Sequence, residues 1–464
     1  MISGAIATTT FGAASRIDPA AAEEARFPPG FVWGTASSAY QVEGRADRTS
    51  ECIWDRFCRQ PGRIKDGSNG DIACDSYRRY AEDVALIKGA GLKAYRFSVS
   101  WARVQPGGSG RADQRALDYY SRLVDALRKA GVEPWVCLYH WDLPQDLQER
   151  GGWTERATAE RFADYAGLVA KKIGDRVTRW LTLNEPSVHA ILGHGLGQHA
   201  PGLQSRAAMM AALHHQNLAH GDGVGALRAV GGRKWRIGAA LSLQPARPAD
   251  GAPDNVPASQ IWDAVWNRAS LDPLLLGTYP GILAADFEKL LKGDDLARIR
   301  QPIDFIGVNY YNPMYQKRDS AGIVGSNWGA VPDSLKRTAL GWPIDPDGLI
   351  EVLADLRDRY HNPAVYVTEN GACFADTPGV HDRVDDRDRI AFLRDHLAAC
   401  RRAMAQKANL QGYFAWTLMD NFEWAEGYAA PFGLVRLDRA SLKRTPKASY
   451  DWFGRVARSN KLDT

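Results

Sequence analysis

Two glutamates stand where an apolar run ends. One is Glu369 in VYVTENG, 365–371, and the other is Glu185 in TRWLTLNEP, 178–186. Each is flanked by asparagine, and each closes a stretch that reads as a buried strand. A lone glutamate is usually a surface residue or half of an ion pair, because burying an unpaired carboxylate is costly. Two at strand ends call for a reaction that uses both. Cleavage of a glycosidic bond is such a reaction. One carboxyl holds a proton and gives it to the leaving oxygen, while the other is ionised. At a separation of roughly 5–5.5 Å the ionised group attacks the sugar and configuration is retained. At roughly 6.5–9.5 Å a water fits between and configuration inverts. The sequence leaves that choice open.

The pair must be carried to one place by strands that share an end. Eight short β-rich or apolar runs recur, at 31–37, 92–100, 132–140, 178–186, 236–243, 304–311, 364–370 and 410–420. They alternate poorly between polar and apolar, as strands buried on both faces do. Helical spacing lies between them. Tyr77, Tyr80, Val84 and Ile87 share one stripe, stopped by Gly89 and Gly91; Phe162, Tyr165, Val169 and Ile173 share another. Residues 388–404 form a third helix, with Ile390, Leu393 and Leu397 on one side. Eight strand–helix alternations without a linker predict a closed (β/α)8 barrel, whose strand ends converge on one mouth. The rival is a doubly wound sheet, but no G-x-G-x-x-G fingerprint occurs. Long connections at 38–75, 187–235, 245–275 and 312–345 are expected to wall a deep pocket at the C-terminal face. The domain plan is a flexible tail at 1–26, one catalytic barrel at 27–457 and a short tail at 458–464.

Bulk properties exclude several alternatives. The chain has 464 residues and 45% apolar content, enough for a large core. A net charge of +4 with no basic stripe argues against nucleic acid. No run of 18 apolar residues spans a membrane. The first 25 residues lack a basic start and a hydrophobic centre, so a cleaved export signal is not expected. Six scattered cysteines fit a reducing compartment, and a cytoplasmic location is expected. Metal spacings such as H-E-x-x-H are absent. Adjacent His214 and His215 point apart on an apparent helix, and His189, His194 and His199 fall in a loop-like region that would rim the leaving-group side. No metal or cofactor is expected, and oligomeric state is open. The run DDRDR, 385–389, reads as a solvated helix start.

Further motifs carry a resemblance. FVWGTASSAYQVEG, 31–44, is followed by YRFSVSWARVQP, 95–106, YHWDLPQDL, 139–147, LTLNEP, 181–186, GVNYY, 307–311, VYVTENG, 365–371, LMDNFEWAEGY, 418–428, and FGLVRLD, 432–438. In this order, across about 31–455, they resemble glycoside hydrolase family 1, the β-glucosidase family. The resemblance implies a retaining mechanism, with Glu185 as acid/base and Glu369 as nucleophile. It implies that Arg96 and Tyr311 contact the nucleophile, that Asn309 lines the pocket near the acid/base, and that Asn184 binds the sugar 2-hydroxyl. It implies a sugar-holding set of Gln41, His140, Glu423 and Trp424, with Trp416 as a platform beneath the ring. The pKa of Glu185 should then be raised by the charge of Glu369.

The chain departs from the family pattern after Gly44, at Ser76 and Arg78, and at Ser187 and His189. These departures bear on leaving-group preference. Glu423 would repel a phosphate, so neutral sugars are favoured: aryl or alkyl β-glucosides and short β-linked oligosaccharides. Broader galactosidase or fucosidase activity, transglycosylation, and a non-enzymatic sugar-binding barrel are the alternatives.

Overall fold

The computed structural model describes residues 26–376 and 383–462. Eight parallel strands close into a barrel in chain order. They are β1 (Val32–Ala36), β2 (Ala94–Ser98), β3 (Glu133–Cys137), β4 (Arg179–Asn184), β5 (Arg236–Ser242), β6 (Phe305–Asn309), β7 (Val365–Asn370) and β8 (Leu410–Trp416). Each lies inside one of the eight runs read from the sequence. Outer helices alternate with them: α1 (Ser76–Ala90), α2 (Gln114–Ala130), α3 (Ala157–Ile173), α4 (Arg206–Gly231), α5 (Val256–Asp263), α6 (Pro346–Arg359), α7 (Arg387–Ala405) and α8 (Ala448–Ser459). The apolar stripes predicted for α1, α3 and α7 face the strands. Gly89 lies inside α1 rather than ending it; Gly91 is the stop, at φ 78° in the left-handed region that glycine tolerates.

The barrel interior is filled, as such barrels require. In its N-terminal half Trp135, Phe305, Tyr366 and Phe414 meet edge to face, with ring centroids 4.7–5.4 Å apart. Bulk below leaves polar groups room only at the C-terminal mouth. The strands approach closely enough to dictate glycine locally. A Cβ on Gly34 would sit 2.4 Å from the Phe414 ring, and one on Gly371 would sit 1.9 Å from the Trp416 carbonyl oxygen. The glycine of VYVTENG is therefore a packing requirement.

Three expectations change. The expected boundary at 457 falls inside α8, and residues 458–462 pack against the barrel. Asn460 donates to the Phe27 carbonyl (2.7 Å) and accepts from Trp33 Nε1 (2.9 Å), and Leu462 is buried. Of the expected tail at 1–26, residues 1–25 lie outside the described residues, and Arg26 forms an antiparallel bridge with Lys461. The segment after Glu185 is helical through Gly195, because apolar Val188, Ala190 and Ile191 pack inward; His189 and His194 are buried beneath it. The connection at 245–275 is largely helical, running from α5 through a π turn at Ala264–Arg268 into Ala269–Leu275. DDRDR is only partly a solvated start: Asp385, Arg387 and Asp388 are exposed, whereas Asp386 and Arg389 are buried. Asp386 accepts from the Ser449 backbone N–H (2.8 Å), and buried Arg389 pairs with Asp386 and donates to the carbonyls of Ala372, Pro431 and Phe432. Those contacts pin the turn after β7 to the loop after β8.

Among the described residues no helix is long and apolar enough to cross a membrane, and no group of three or more His, Cys, Asp or Glu could hold a metal ion. His214 turns to Tyr279 and Asp295, while His215 turns to the Trp153 carbonyl.

Candidate active site

The strands that carry the two glutamates are both irregular. Against β5, β4 has one extra residue between Leu181 and Asn184. Against β6, β7 has one extra residue between Val367 and Glu369. A bulge of this kind bends the strand and re-aims its side chains. Glu185 follows at once at φ 49°, a left-handed conformation costing a non-glycine residue roughly 1–2 kcal/mol. Trp141 (φ 73°) and Trp424 (φ 49°) are in the same region. All three line one cavity with Glu369. These are three of the twelve left-handed non-glycine residues among the described ones, and strain at residues lining one cavity points to a functional site.

A continuous set of side chains joins the two carboxylates. Arg96 Nη1, from β2, donates to Glu369 Oε1, and Tyr311 Oη donates to Glu369 Oε2 at 2.7 Å. Arg96 Nη2 donates to Asn184 Oδ1 at 2.5 Å. Asn309 Nδ2 donates to that same oxygen at 3.0 Å and to Glu185 Oε1 at 2.9 Å. Thr368 Oγ1 donates to Asn309 Oδ1 at 2.7 Å, which fixes the nitrogen end of the amide toward Glu185. Asn184 Nδ2 meets His140 Nε2 at 3.0 Å, so the ring proton of His140 sits on Nδ1, where no protein group pairs with it.

The environment divides the pair into unlike groups. Both carboxyls are buried, and burial disfavours the charged form. Burial is the first cause raising Glu185 well above the usual carboxylate range, and the charge of Glu369 is the second. The Glu369 charge expected from the sequence does act, but behind burial. Burial raises Glu369 as well, but that push is opposed first by the Arg96 charge and then by hydrogen bonds from Arg96 and Tyr311. Glu185 is thus raised further than Glu369, so Glu369 is the first of the pair to give up its proton and Glu185 the one that keeps it. Glu423 is pushed up to about 8, by burial first and Glu369 second. Burial and then Arg96 hold His140 well below its ordinary value, so it is a neutral ring. Tyr311 is raised well above its ordinary value, by burial first and the Glu369 charge second, so it remains a donor.

The cavity has a volume of about 420 Å³, within the range of small-molecule sites. Of the residues singled out in the sequence, His140, Glu185, Tyr311, Glu369, Trp416, Glu423 and Trp424 line it. Gln41, Arg96, Asn184 and Asn309 stand behind that lining and touch the residues in it. The Gln41 amide donates to Asn421 Oδ1 (3.1 Å), the Phe422 carbonyl (3.0 Å) and Glu423 Oε2 (3.3 Å), fixing the loop that presents Glu423. Ser187 and His189, expected on the leaving-group wall, are buried away from it; Val188 and Leu192 take that place. Of the three histidines after Glu185 only His199 lines the cavity.

Some lining residues, Trp328 and Trp342 among them, had no sequence signal, because they fall in the long 312–345 connection with no period to read. Phe432 lay inside the quoted FGLVRLD motif without being singled out. Trp141 was inside a recognised motif; its Nε1 donates to the Asn184 carbonyl at 3.0 Å, and its ring lies 4.7 Å from Trp424.

Known proteins match most of the chain. The model of Glycosyl hydrolase family 1 matches residues 23–462. Beta-glucosidase A of Acetivibrio thermocellus is 41% identical over 444 residues, covering 94% of this chain and 98% of that protein. A bifunctional beta-D-glucosidase/beta-D-fucosidase of Bifidobacterium breve is 43% identical over 460 residues, covering 92% and 97%. A solved structure of the Thermotoga maritima beta-glucosidase in complex with deoxynojirimycin superposes with a TM-score of 0.89 at 40% identity, covering 94% of this chain and 100% of that one. With the match spanning the barrel from its first strand to its last helix, the chain belongs to glycosyl hydrolase family 1.

Proposed function

We propose that the chain is a retaining β-glucosidase, releasing terminal β-D-glucosyl residues from aryl and alkyl glucosides and short β-linked oligosaccharides. The observation that carries this reading is the pair Glu185 and Glu369, buried in one cavity and joined through Asn309, Asn184 and Arg96. Glu369 attacks the anomeric carbon and forms a glycosyl ester. Glu185 gives its proton to the departing oxygen. It then takes a proton from the water that cleaves the ester. Esterification removes the Glu369 charge, and with it one of the influences that raise Glu185, so the same group serves as acid and then as base.

Glu423, Trp424 and His140 Nδ1–H face the sugar in this reading, with the Trp416 indole beneath its C–H face. Gln41 sets Glu423 from behind. Asn184 retains one amide hydrogen for the 2-hydroxyl. The cavity lining holds Glu185, Glu369, Glu423 and Glu426 and neither lysine nor arginine, which favours neutral sugars over phosphorylated ones. The Bifidobacterium breve relative extends the range worth assaying to β-D-fucosides. Six free thiols agree with a cytoplasmic, reducing location.

The test is hydrolysis of p-nitrophenyl β-D-glucoside followed by NMR of the first anomer formed. β-Glucose is expected. α-Glucose as first product would exclude the double displacement, and binding without turnover would favour the sugar-binding barrel.

Arg96→Met isolates the charge that opposes burial at Glu369. Removing it raises the Glu369 pKa. The acid limb of kcat/KM marks protonation of the nucleophile, so that limb should move to higher pH. An uncompensated buried charge costs about 3–5 kcal/mol, so activity at neutral pH should fall by about 10²–10⁴-fold. The pH profile checks this; an unmoved acid limb would separate Arg96 from the nucleophile's ionisation.

A further inference from the structure

At the mouth of the cavity, Trp328 is the one tryptophan among the exposed large apolar side chains of the described residues, at 41% exposure. It belongs to the wall of the cavity that holds Glu185 and Glu369, yet those two are buried. It ends a short hairpin, Met314–Arg318 paired with Ser326–Trp328. Two buried indoles hold it edge-on: Trp262 at 5.0 Å and 69°, and Trp266 at 6.3 Å and 77°. Both supports are themselves anchored, Trp262 Nε1 on Met314 Sδ (3.1 Å) and Trp266 Nε1 on Ser242 Oγ (3.2 Å). The π turn at Ala264–Arg268 carries Trp266. An exposed indole costs solubility unless something uses its face, and here two tryptophans fix a third at a cavity entrance.

We propose that Trp328 is a platform for the second sugar of the leaving group in a β-linked oligoglucoside. The assignment rests on the β-glucosidase reading. The glucosyl unit to be transferred must lie at the buried end, against Glu369 and Glu423. The leaving group therefore runs toward solvent. Its first ring passes Glu185, and the next ring reaches the mouth, where the fixed indole covers its apolar C–H face. Cellobiose has one leaving-group sugar and cellotriose has two, so the two substrates separate this contact from everything deeper.

The experiment compares kcat/KM of wild type, Trp328→Ala and Trp328→Phe on p-nitrophenyl β-D-glucoside, cellobiose and cellotriose. For Trp328→Ala, cellotriose should lose about five- to tenfold, carried by KM, while the two shorter substrates stay within about twofold. Trp328→Phe should recover most of the cellotriose loss. An equal loss on all three substrates would make Trp328 structural and overturn the platform. So would unchanged cellotriose kinetics, or a wild type that cleaves the shorter substrates but not cellotriose. Failure of wild type on all three substrates would instead bring down the glucosidase reading, and the platform with it.

Discussion

Glu369→Gly should lose about 10⁴–10⁶-fold in turnover of aryl β-glucosides while the barrel stays folded. Removing the carboxylate leaves no group at the anomeric carbon to form the glycosyl ester. The glycine also vacates the space beside Arg96 and Tyr311, whose donors remain aimed there. A small external anion can occupy that space. With 2,4-dinitrophenyl β-D-glucoside and azide, the variant should regain turnover and release α-glucosyl azide, because a single attack from the nucleophile's side inverts the centre. NMR of the product reads the outcome directly. Near-wild-type turnover without azide, or a β-azide product, would remove Glu369 from the nucleophile's position.

Glu185→Ala should split substrates by their leaving groups. Dinitrophenolate departs without a proton, so formation of the glycosyl ester should survive in this variant. A disaccharide needs its oxygen protonated, and kcat/KM on cellobiose should fall by about 10³–10⁴-fold, at the upper end of what general acid catalysis contributes. Hydrolysis of the ester also loses its base, so the intermediate accumulates and KM for the dinitrophenyl substrate falls with kcat. Azide should speed this second step and give β-glucosyl azide, the opposite anomer to that from Glu369→Gly. The pH profile gives a further check. Glu185 must be protonated in the free enzyme, and its pKa is raised by burial and then by the Glu369 charge. Activity of the wild type therefore falls as pH rises through that value, and the alkaline limb should vanish in Glu185→Ala. If the limb persists unchanged, another group carries the proton.

These two side chains were legible in the sequence for a local reason. Strands buried on both faces write continuous apolar runs, and the place where a run stops on a carboxylate needs no knowledge of distant residues. All eight barrel strands lie in runs found that way. The same reading failed where burial comes from elsewhere in the chain. Asp386 and Arg389 look solvated within DDRDR, and become buried only because Ser449 and the carbonyls of Ala372, Pro431 and Phe432 arrive to pair with them. His189 and His194 look like loop residues, and are buried because the helix after Glu185 packs its apolar face inward.

The sequence by itself determined the alternation that closes a barrel and the two carboxylates at strand ends. Tertiary structure decided what those carboxylates can do. The extra residue in β4 and in β7 aims them, and a bulge is visible only against the neighbouring strand. Arg96 and Glu369 lie 273 positions apart, and Asn309 and Glu185 lie 124 apart. Periodicity is a property of adjacent residues and carries no information across such separations. The electrostatic difference between the glutamates comes from burial and from those distant partners, so it exists only once the barrel has closed.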